Sequence, residues 1–461
     1  MMLLEEKFLV LPKLVETTTI KKTLSIQKPS IDMLTEEQLD IFNHIVSMPI
    51  NVFSQSLLTG YSGTGKSFLV SKIIEEFLFT NKSIKIAITA PTNKAVRVLK
   101  NLSSISEDNA RVSFVTLHSL LGLKRTITYE GKEEYKPIFG SSDLTNYNIV
   151  LVDEVSMLDN ELYETLRYQA EMENIMLLFI GDRGQIPPVN GGESILFKSL
   201  LNNNYNLSKI IRQSNGNPII NLAQTIRLNK TFEKETILDE NNNGIAYLKI
   251  NTEEPLLNTY FNSEHFNKNP NFVKVLAWTN SAVNYYNTKI RTLIYGDKCG
   301  RLCVGEKMVC NRPITNSKNQ IIMNNNDEFE VLSFTMKKET RAYDFSFYEV
   351  VVNCDGKVFS IKLLAEKSEA AFAKQVSKLK SEAEKAKPMA RRNAWSKYYK
   401  FLERYADVKY NYALTIHKAQ GSTFDNVIVI NVDINRIGNK IERNKLLYTG
   451  ITRAKNKLFM I

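Results

Sequence analysis

Long apolar runs are missing from this chain. No stretch of about 18 apolar residues occurs anywhere in its 461 residues, which excludes a membrane-spanning helix. Glu5, Glu6 and Lys7 interrupt the opening apolar residues and leave a run too short for a signal peptide. Cysteine is scarce as well. Cys299, Cys303, Cys310 and Cys354 are too few, in a chain this long, for a disulfide framework, and they read as reduced intracellular thiols. Their spacing fits no common zinc signature, and no histidine lies close enough in sequence to complete one. Internal repeats of about 20–50 residues are also missing, which argues against a solenoid. These absences predict a soluble protein that stays in the compartment where it is made.

What is present is ordinary for a folded chain. With 43% hydrophobic and 24% charged residues, wholesale disorder, collagen and coiled coil are excluded. At roughly 100–200 residues per domain the length predicts about three folding units. The formal net charge is +11, which favours polyanionic partners such as nucleic acid. Much of the excess is local, because residues 361–409 carry 13 Lys and Arg against 6 Asp and Glu. That density fits a solvated helical surface equally well.

Residues 1–30 show no clear period and read as an N-terminal extension. From about 31 to 193, short apolar strands alternate with helical stretches. Strands are expected at 52–58, 84–89, 149–152 and 176–180, and helices at 67–79 and 93–102. This order predicts a parallel sheet flanked by helices. A second series recurs over 194–310 and 409–461, with strands at 272–277, 426–431 and 457–461 and helices near 281–293 and 445–450. Residues 311–408 differ, with short strands and polar turns followed by helices broken at Pro388. The fold class expected is therefore α/β, with two parallel-sheet domains, the second carrying an insertion.

Gly60-Tyr-Ser-Gly63-Thr64-Gly65-Lys66-Ser67 has the G-x-x-x-x-G-K-S spacing of a phosphate loop, between an expected strand and an expected helix. Glycines let the loop curl until its N–H groups face phosphate oxygens, and the helix N-terminus adds a positive dipole end. Lys66 is suited to the β- and γ-phosphates and Ser67 to Mg²⁺. Hydrolysis also needs a metal carboxylate and a group that orients water. The strand 149–152 runs into Asp153 and Glu154, which suit a Mg²⁺ contact and a base for the attacking water. A third strand-end loop, Gly181-Asp-Arg-Gly-Gln185-Ile-Pro-Pro188, offers Gln185 as donor and acceptor toward a γ-phosphate.

These motifs resemble those of superfamily 1 helicases. Leu34-Thr-Glu-Glu-Gln38 is similar to the Q motif, Ala90-Pro91-Thr92-Asn93-Lys-Ala95 to motif Ia, and Thr116-Leu-His118-Ser119 to the DNA-contacting motif that follows. Asp153-Glu-Val-Ser and Gly181–Gln185 are similar to motifs II and III, and Leu207–Ser214 to motif IV. Ala413-Leu-Thr415-Ile-His417-Lys-Ala-Gln-Gly421 is similar to motif V and Tyr448-Thr-Gly-Ile-Thr-Arg453-Ala to motif VI. The Gln-x-Pro-Pro-Val and His-Lys-Ala-Gln-Gly forms favour superfamily 1B, the RecD- and Pif-like branch, and chain length and motif spacing favour the Dda-type helicases of T-even bacteriophages.

The resemblance implies two RecA-like P-loop domains. The first carries a β-hairpin "pin" at about 122–142, and the second an SH3-like insertion with a helical projection at 311–408. It implies an ATP- and Mg²⁺-dependent DNA helicase, translocating 5′ to 3′ on single-stranded DNA and opening single-strand/double-strand forks. Its catalytic set would be Lys66, Asp153, Glu154, Gln185 and the arginine fingers Arg212 and Arg453. Nucleotide would be held by Gln38, which reads adenine, by Gly60, Gly63, Thr64, Gly65, Lys66 and Ser67, and by Gly421, with Ser67 and Asp153 on the metal. DNA would run over Pro91, Thr92, Asn93, Thr116, His118, Trp278, Thr279, Asn280, Thr415 and His417. Tyr135 or Phe139 would be the apolar tip of the pin.

The expected setting is a monomer in the cytoplasm of a bacterium or a phage-infected cell, without membrane contact. Replication, repair or recombination proteins are its expected partners. Two other readings of the phosphate loop are a nucleotide-switched single-strand clamp that does not unwind, and a P-loop kinase or transferase.

Overall fold

The structure is a computed structural model. It describes residues 28–461 apart from 92–94, 97–98, 101–109, 138–139, 188–191, 199–200, 202, 210–217, 241–242, 250, 298, 317–319 and 340–342.

The first lobe contributes β1 (Ser54–Gly60), β2 (Ile86–Ala90), β3 (Val112–Thr116), β4 (Leu123–Ile127), β5 (Glu133–Pro137), β6 (Ile149–Val152), β7 (Met176–Gly181) and β8 (Asn203–Leu207). Six of these form a parallel sheet in the order β3-β2-β6-β7-β1-β8, while β4 and β5 pair with each other as a hairpin. The core strands are apolar on both sides because each sheet face is covered. Ile86, Ile88, Leu151, Leu178 and Ile180 pack under the helices Glu36–Val46 and Lys66–Thr80. Their alternating neighbours Ala87, Val150, Val152, Leu177 and Phe179 pack under the helix Asn160–Met172.

The strand β8 corrects an expectation. The first lobe was expected to end at 193, yet Ser56–Gly60 pairs in parallel with Asn203–Leu207. The segment Asn-Asn-Tyr-Asn-Leu is too polar to announce itself as a core strand, and it is an edge strand held partly by side chains. The Thr59 hydroxyl lies 3.0 Å from both the Tyr205 carbonyl and Asn206 Oδ1.

The second lobe opens with β9 (Ile237–Leu238), β10 (Gly244–Tyr247) and β11 (Val273–Ala277). The chain then leaves it for β12 (Lys307–Cys310), β13 (Ile314–Thr315), β14 (Ile321–Met323), β15 (Glu328–Lys338), β16 (Ser346–Cys354), β17 (Lys357–Leu364) and β18 (Val408–Tyr410). It returns through β19 (Ala413–Thr415), β20 (Phe424–Val429) and β21 (Ala454–Met460). The second sheet runs β19-β11-β20-β21-β10-β9, parallel except for β9.

The excursion forms a separate antiparallel sheet, β17-β16-β15-β12-β18. It therefore starts at Lys307 and closes at Tyr410, a few residues outside the expected 311–408. Two helices, Glu366–Lys385 and Pro388–Leu402, project from it. The break between them falls at Pro388, as expected: it starts the second helix, at a first-turn position where its missing N–H costs nothing.

The thiols also differ from expectation. Cys299 and Cys303 are joined in a disulfide, while Cys310 and Cys354 lie outside it, buried in the accessory sheet. The two bonded cysteines are brought together by the tight loop after the helix Asn280–Tyr295, a proximity that their three-residue spacing does not announce. No helix among the described residues is long and apolar enough to cross a membrane.

Candidate nucleotide site and inter-lobe cleft

At the end of β1 the chain turns through Gly63 and Gly65, at φ 87° and 80°, a region that side chains with a Cβ avoid. The turn aims the N-terminus of the helix Lys66–Thr80 at the space that the loop encloses. Lys66 Nζ donates to the carbonyls of Gly60 (2.6 Å) and Tyr61 (2.9 Å), so the amine braces the loop from within. Burial lowers its pKa, against the pull of Asp182, Asp153 and Glu154. Ser67 stands exposed on the first turn of the same helix.

Gln38 is fully buried. Its Oε1 accepts from the Thr35 N–H at 3.1 Å, closing a capping box, and its Nε2 donates to the Thr64 carbonyl at 3.3 Å. Both ends of the amide are thus engaged within the chain, and Gln38 fixes the loop beside Thr64.

Two further strand ends meet the loop. Asp153 follows β6, and its Oδ1 accepts from the Glu154 N–H at 2.8 Å. Glu154 adopts φ 54°, a left-handed conformation uncommon for this residue type and concentrated at functional sites. Burial raises the pKa of both carboxyls. Glu154 is pushed up to about 7, with the neighbouring Asp153 charge as second cause. After β7, Asp182 is buried, and its Oδ1 accepts from the Gly184 N–H at 2.8 Å. Lys66, Asp153, Glu154 and Asp182 form one electrostatic group, because each carboxylate acts on the lysine.

The second lobe closes over this group. The helix Lys440–Ile451 brings Tyr448, whose hydroxyl donates to Asp182 Oδ2 (2.7 Å) and accepts from the Ser62 N–H of the phosphate loop (3.2 Å). Thr449 Oγ1 accepts from the Ile186 N–H at 3.2 Å. Gln420 Nε2 donates to Gln185 Oε1 (3.3 Å) and to the Ile186 carbonyl (3.2 Å). Gly421, at φ 69°, stands so close to the first lobe that a Cβ there would lie 3.1 Å from Ala95 Cβ.

Arg453 is only 6% exposed, and that decides whether it serves the surface or the cleft. Its guanidinium is set by the Thr449 carbonyl (3.1 Å), the Ser422 carbonyl (3.2 Å) and Thr452 Oγ1 (3.2 Å). Its positive charge reaches Glu154 and Lys66 across the cleft. Arg212, the other expected finger, lies outside the described residues, as do Thr92, Asn93 and Phe139.

The remaining nucleic-acid candidates sit at equivalent strand ends of the two lobes. Thr116 ends β3 and caps Leu117–Leu120, while Thr415 ends β19 and caps Ile416–Ala419. Thr279 follows β11 and caps Asn280–Tyr295, and it also donates to Asp433 at 3.0 Å. Each hydroxyl therefore has a structural partner, with its helix N-terminus opening at a strand's C-terminal edge. Pro91 and Trp278 are half-buried after the neighbouring strands β2 and β11, and Asn280 is exposed.

This duplication was missed in sequence. Ala90-Pro-Thr-Asn matches Ala277-Trp-Thr-Asn, and Thr116-Leu-His matches Thr415-Ile-His. Only the paired strands β2/β3 and β11/β19 make the correspondence apparent. Burial lowers the pKa of both His118 and His417.

The hairpin corrects another expectation. Tyr135 is not its tip but sits mid-strand, opposite Arg125, with its ring 4.8 Å from that of His118. The turn lies at Thr128–Lys132 and docks on the helical projection of the second lobe. Tyr399 donates from its hydroxyl to the Gly131 carbonyl at 2.8 Å, and Arg125 pairs with Glu403. A Cβ on Gly131 would stand 2.1 Å from the Trp395 ring, so the contact is a close backbone approach that glycine permits.

Two family models match the chain, one described as an AAA domain over residues 33–244 and one as a UvrD-like helicase C-terminal domain over 410–461. The ATP-dependent DNA helicase dda of Enterobacteria phage T4 is 26% identical over 470 residues, spanning 94% of this chain and 100% of that protein. An uncharacterised protein of Acanthamoeba polyphaga mimivirus is 26% identical over 93% of this chain and 99% of its own length. Among solved structures, Pif1 helicase in a study of unwinding at forked DNA superposes with a TM-score of 0.53 at 18% identity, covering 93% of this chain and 92% of that one. Bacteroides Pif1 in complex with ADP-AlF3 and single-stranded DNA gives 0.51 at 16%, with the same coverage. These two share the fold of paired RecA-like lobes. With models matching both lobes and relatives matching along nearly the whole length, the chain belongs to superfamily 1B, a family of ATP-hydrolysing DNA helicases, on its Dda-like side.

Proposed function

We propose that this chain is a motor on single-stranded DNA that couples Mg²⁺-ATP hydrolysis to duplex unwinding, moving 5′ to 3′. One observation carries the reading: Arg453 and Tyr448, from one helix end of the second lobe, converge on the phosphate loop and carboxylates of the first. A guanidinium arriving from a second lobe stabilises charge on a leaving phosphoryl group only while the cleft is closed, so chemistry and lobe motion are linked. A kinase needs no such second lobe.

In this mechanism the loop's N–H groups and Lys66 hold the triphosphate. Glu154, its pKa raised to about 7, accepts a proton from the attacking water. Gln185, tied to Gln420 across the cleft, reports the γ-phosphate to the second lobe. Arg453 stabilises the transferred phosphoryl. Ser67 and Asp153 are oxygen donors of the kind Mg²⁺ takes, beside the loop, and they would hold the ion, which would supply charge neutralisation of the phosphates.

Alternation between closed and open clefts would move Thr116 and His118 relative to Thr415 and His417, the equivalent strand-end groups of the two lobes. The hairpin, docked on the projection by Tyr399 and Glu403, suits a rigid obstacle at the fork. The direction follows from the superfamily 1B resemblance. Unwinding of 5′-tailed against 3′-tailed duplexes tests activity and direction together. Strand release from the 5′-tailed substrate alone is expected. ATP-dependent binding without release from either substrate would favour a switched clamp, and no DNA stimulation of ATP turnover would favour a kinase.

A further inference from the structure

The second lobe brings another cation to the phosphate loop, one that no motif announces. The helix Pro218–Arg227 buries Ile219, Leu222, Ala223 and Ile226 in its own lobe and turns Ile220, Gln224 and Arg227 toward a cavity. The opposite wall is Tyr61, Ser62 and Gly63. The Arg227 guanidinium carbon stands over the Tyr61 ring, 3.2 Å from its centre. Its Nε is buried without a hydrogen-bond partner.

Several partly buried arginines in this protein carry carboxylates: Arg125 has Glu133 and Glu403, Arg291 has Glu306, and Arg404 has Glu339, whereas Arg391, over the Tyr129 ring, and Arg453 bond backbone or hydroxyl oxygens. Arg227 has no such ion pair among the described residues, and no carboxylate lines its cavity, whereas Lys455 does. Burial accordingly lowers its pKa, with only the Tyr448 hydroxyl acting in the other direction. A ring face offers a guanidinium a quadrupole rather than a full opposite charge, and it accepts none of its N–H groups in line. Two cations and no carboxylate around one cavity make a pocket suited to an anion.

Which anion follows from the place on the loop. Gln38, bonded to Thr64, marks one end. Tyr61–Gly63 is the other, where Tyr448 bonds Ser62 and Asp182 faces Lys66. That is the side on which Arg453 and the carboxylates gather, and so the side of the terminal phosphate.

We propose that Arg227 binds the terminal phosphate of a nucleoside triphosphate, as a cation delivered by the second lobe in addition to Arg453, and thereby distinguishes triphosphate from diphosphate. The inference rests on the nucleotide reading given above. Tyr61 serves as the platform that holds the guanidinium beside the loop.

The test uses the full chain with Mg²⁺ and two fluorescent nucleotides, a β,γ-imido triphosphate and the corresponding diphosphate. Arg227→Met keeps a long side chain on the Tyr61 ring without charge, and Arg227→Lys keeps charge without the planar fork. Loss of a charge-assisted contact predicts triphosphate affinity weaker by about tenfold or more in Arg227→Met, with diphosphate affinity within about twofold. Arg227→Lys should fall between it and the unmodified protein. In steady state, the KM for ATP should rise while kcat changes much less. Equal weakening of both nucleotides, or none, in a folded variant would overturn the proposal while leaving the motor intact. If Arg227→Met fails to fold, Arg227→Lys decides the matter, and parity with the unmodified protein refutes it. Failure of the unmodified protein to bind either nucleotide would overturn this proposal and the motor together.

Discussion

Removing one hydroxyl, in Tyr448→Phe, tests whether the two lobes close as described. The ring is 2% exposed and Phe fills the same volume, so no cavity forms and the change is confined to two hydrogen bonds. The bond to Asp182 is short, at 2.7 Å, and goes to a carboxylate that is 1% exposed. Hydrogen bonds to charged groups contribute about 1.5–3 kcal/mol. Asp182 keeps its Gly184 N–H, so the loss should fall inside that range rather than above it. Asp182→Asn removes the charge from the same contact. A double-mutant cycle on urea unfolding of the four chains isolates the shared term. We expect each single variant to cost about 2 kcal/mol and the double variant little more than the larger single, giving a coupling of about 1.5–2 kcal/mol. Additive costs, with coupling below about 0.5 kcal/mol, would mean the hydroxyl does not bridge the lobes, and the cleft geometry would fall with it. The same bond biases the closed cleft, so Tyr448→Phe should shift the closed-to-open ratio by roughly tenfold or more toward open.

Lys66→Ala should abolish ATP turnover while leaving single-stranded DNA affinity within about an order of magnitude, because its amine contacts only the loop; filter binding beside an ATPase assay checks both. Glu154→Gln should still bind ATP but turn over about 10²–10⁴-fold more slowly, as expected for a lost general base, whereas loss of nucleotide binding would assign the residue a structural role. Gly131→Val should undock the hairpin, since its Cβ would run into the Trp395 ring at a left-handed φ of 82°. Strand displacement should then fall more than DNA-stimulated ATPase, and equal losses would refute a role at the fork. Acid should destabilise the protein through His118 and His417. Burial holds both below the ordinary 6.5, so the unfolded chain takes up protons first and stability drops as pH falls through 6.5 toward the folded values. Replacing both by Gln should flatten the urea-midpoint slope between about pH 7 and 5.5, and an unchanged slope would contradict the burial.

Strand and helix positions around the phosphate loop were legible because both faces of those strands are buried, which forces near-continuous apolar runs. The run Ile149–Val152 was read to the residue, and the others to within a few residues of where the structure has them. The polar edge strand β8 escaped notice, since an edge is held by side chains and one neighbour rather than by core burial. The hairpin's turn was legible from its glycine, but Tyr135 was misread as the tip. Sequence does not say that the turn packs against Tyr399 and Trp395, more than 260 residues away.

Chemistry carried by one strand end and the loop after it was set by sequence alone: the phosphate loop, the Asp153–Glu154 pair and Gln185 each declare themselves through local spacing. Local spacing fixes local backbone, and these groups need little else. Everything that depends on two lobes meeting was decided by tertiary structure. Tyr448 reaching Ser62 and Asp182, Gln420 reaching Gln185, Arg453 drawn inward by three acceptors and Arg227 lying on Tyr61 all join residues far apart in the chain. Long-range pairing is fixed by shape and by the cost of burying unpaired polar groups, and neither leaves a periodic trace in the order of amino acids.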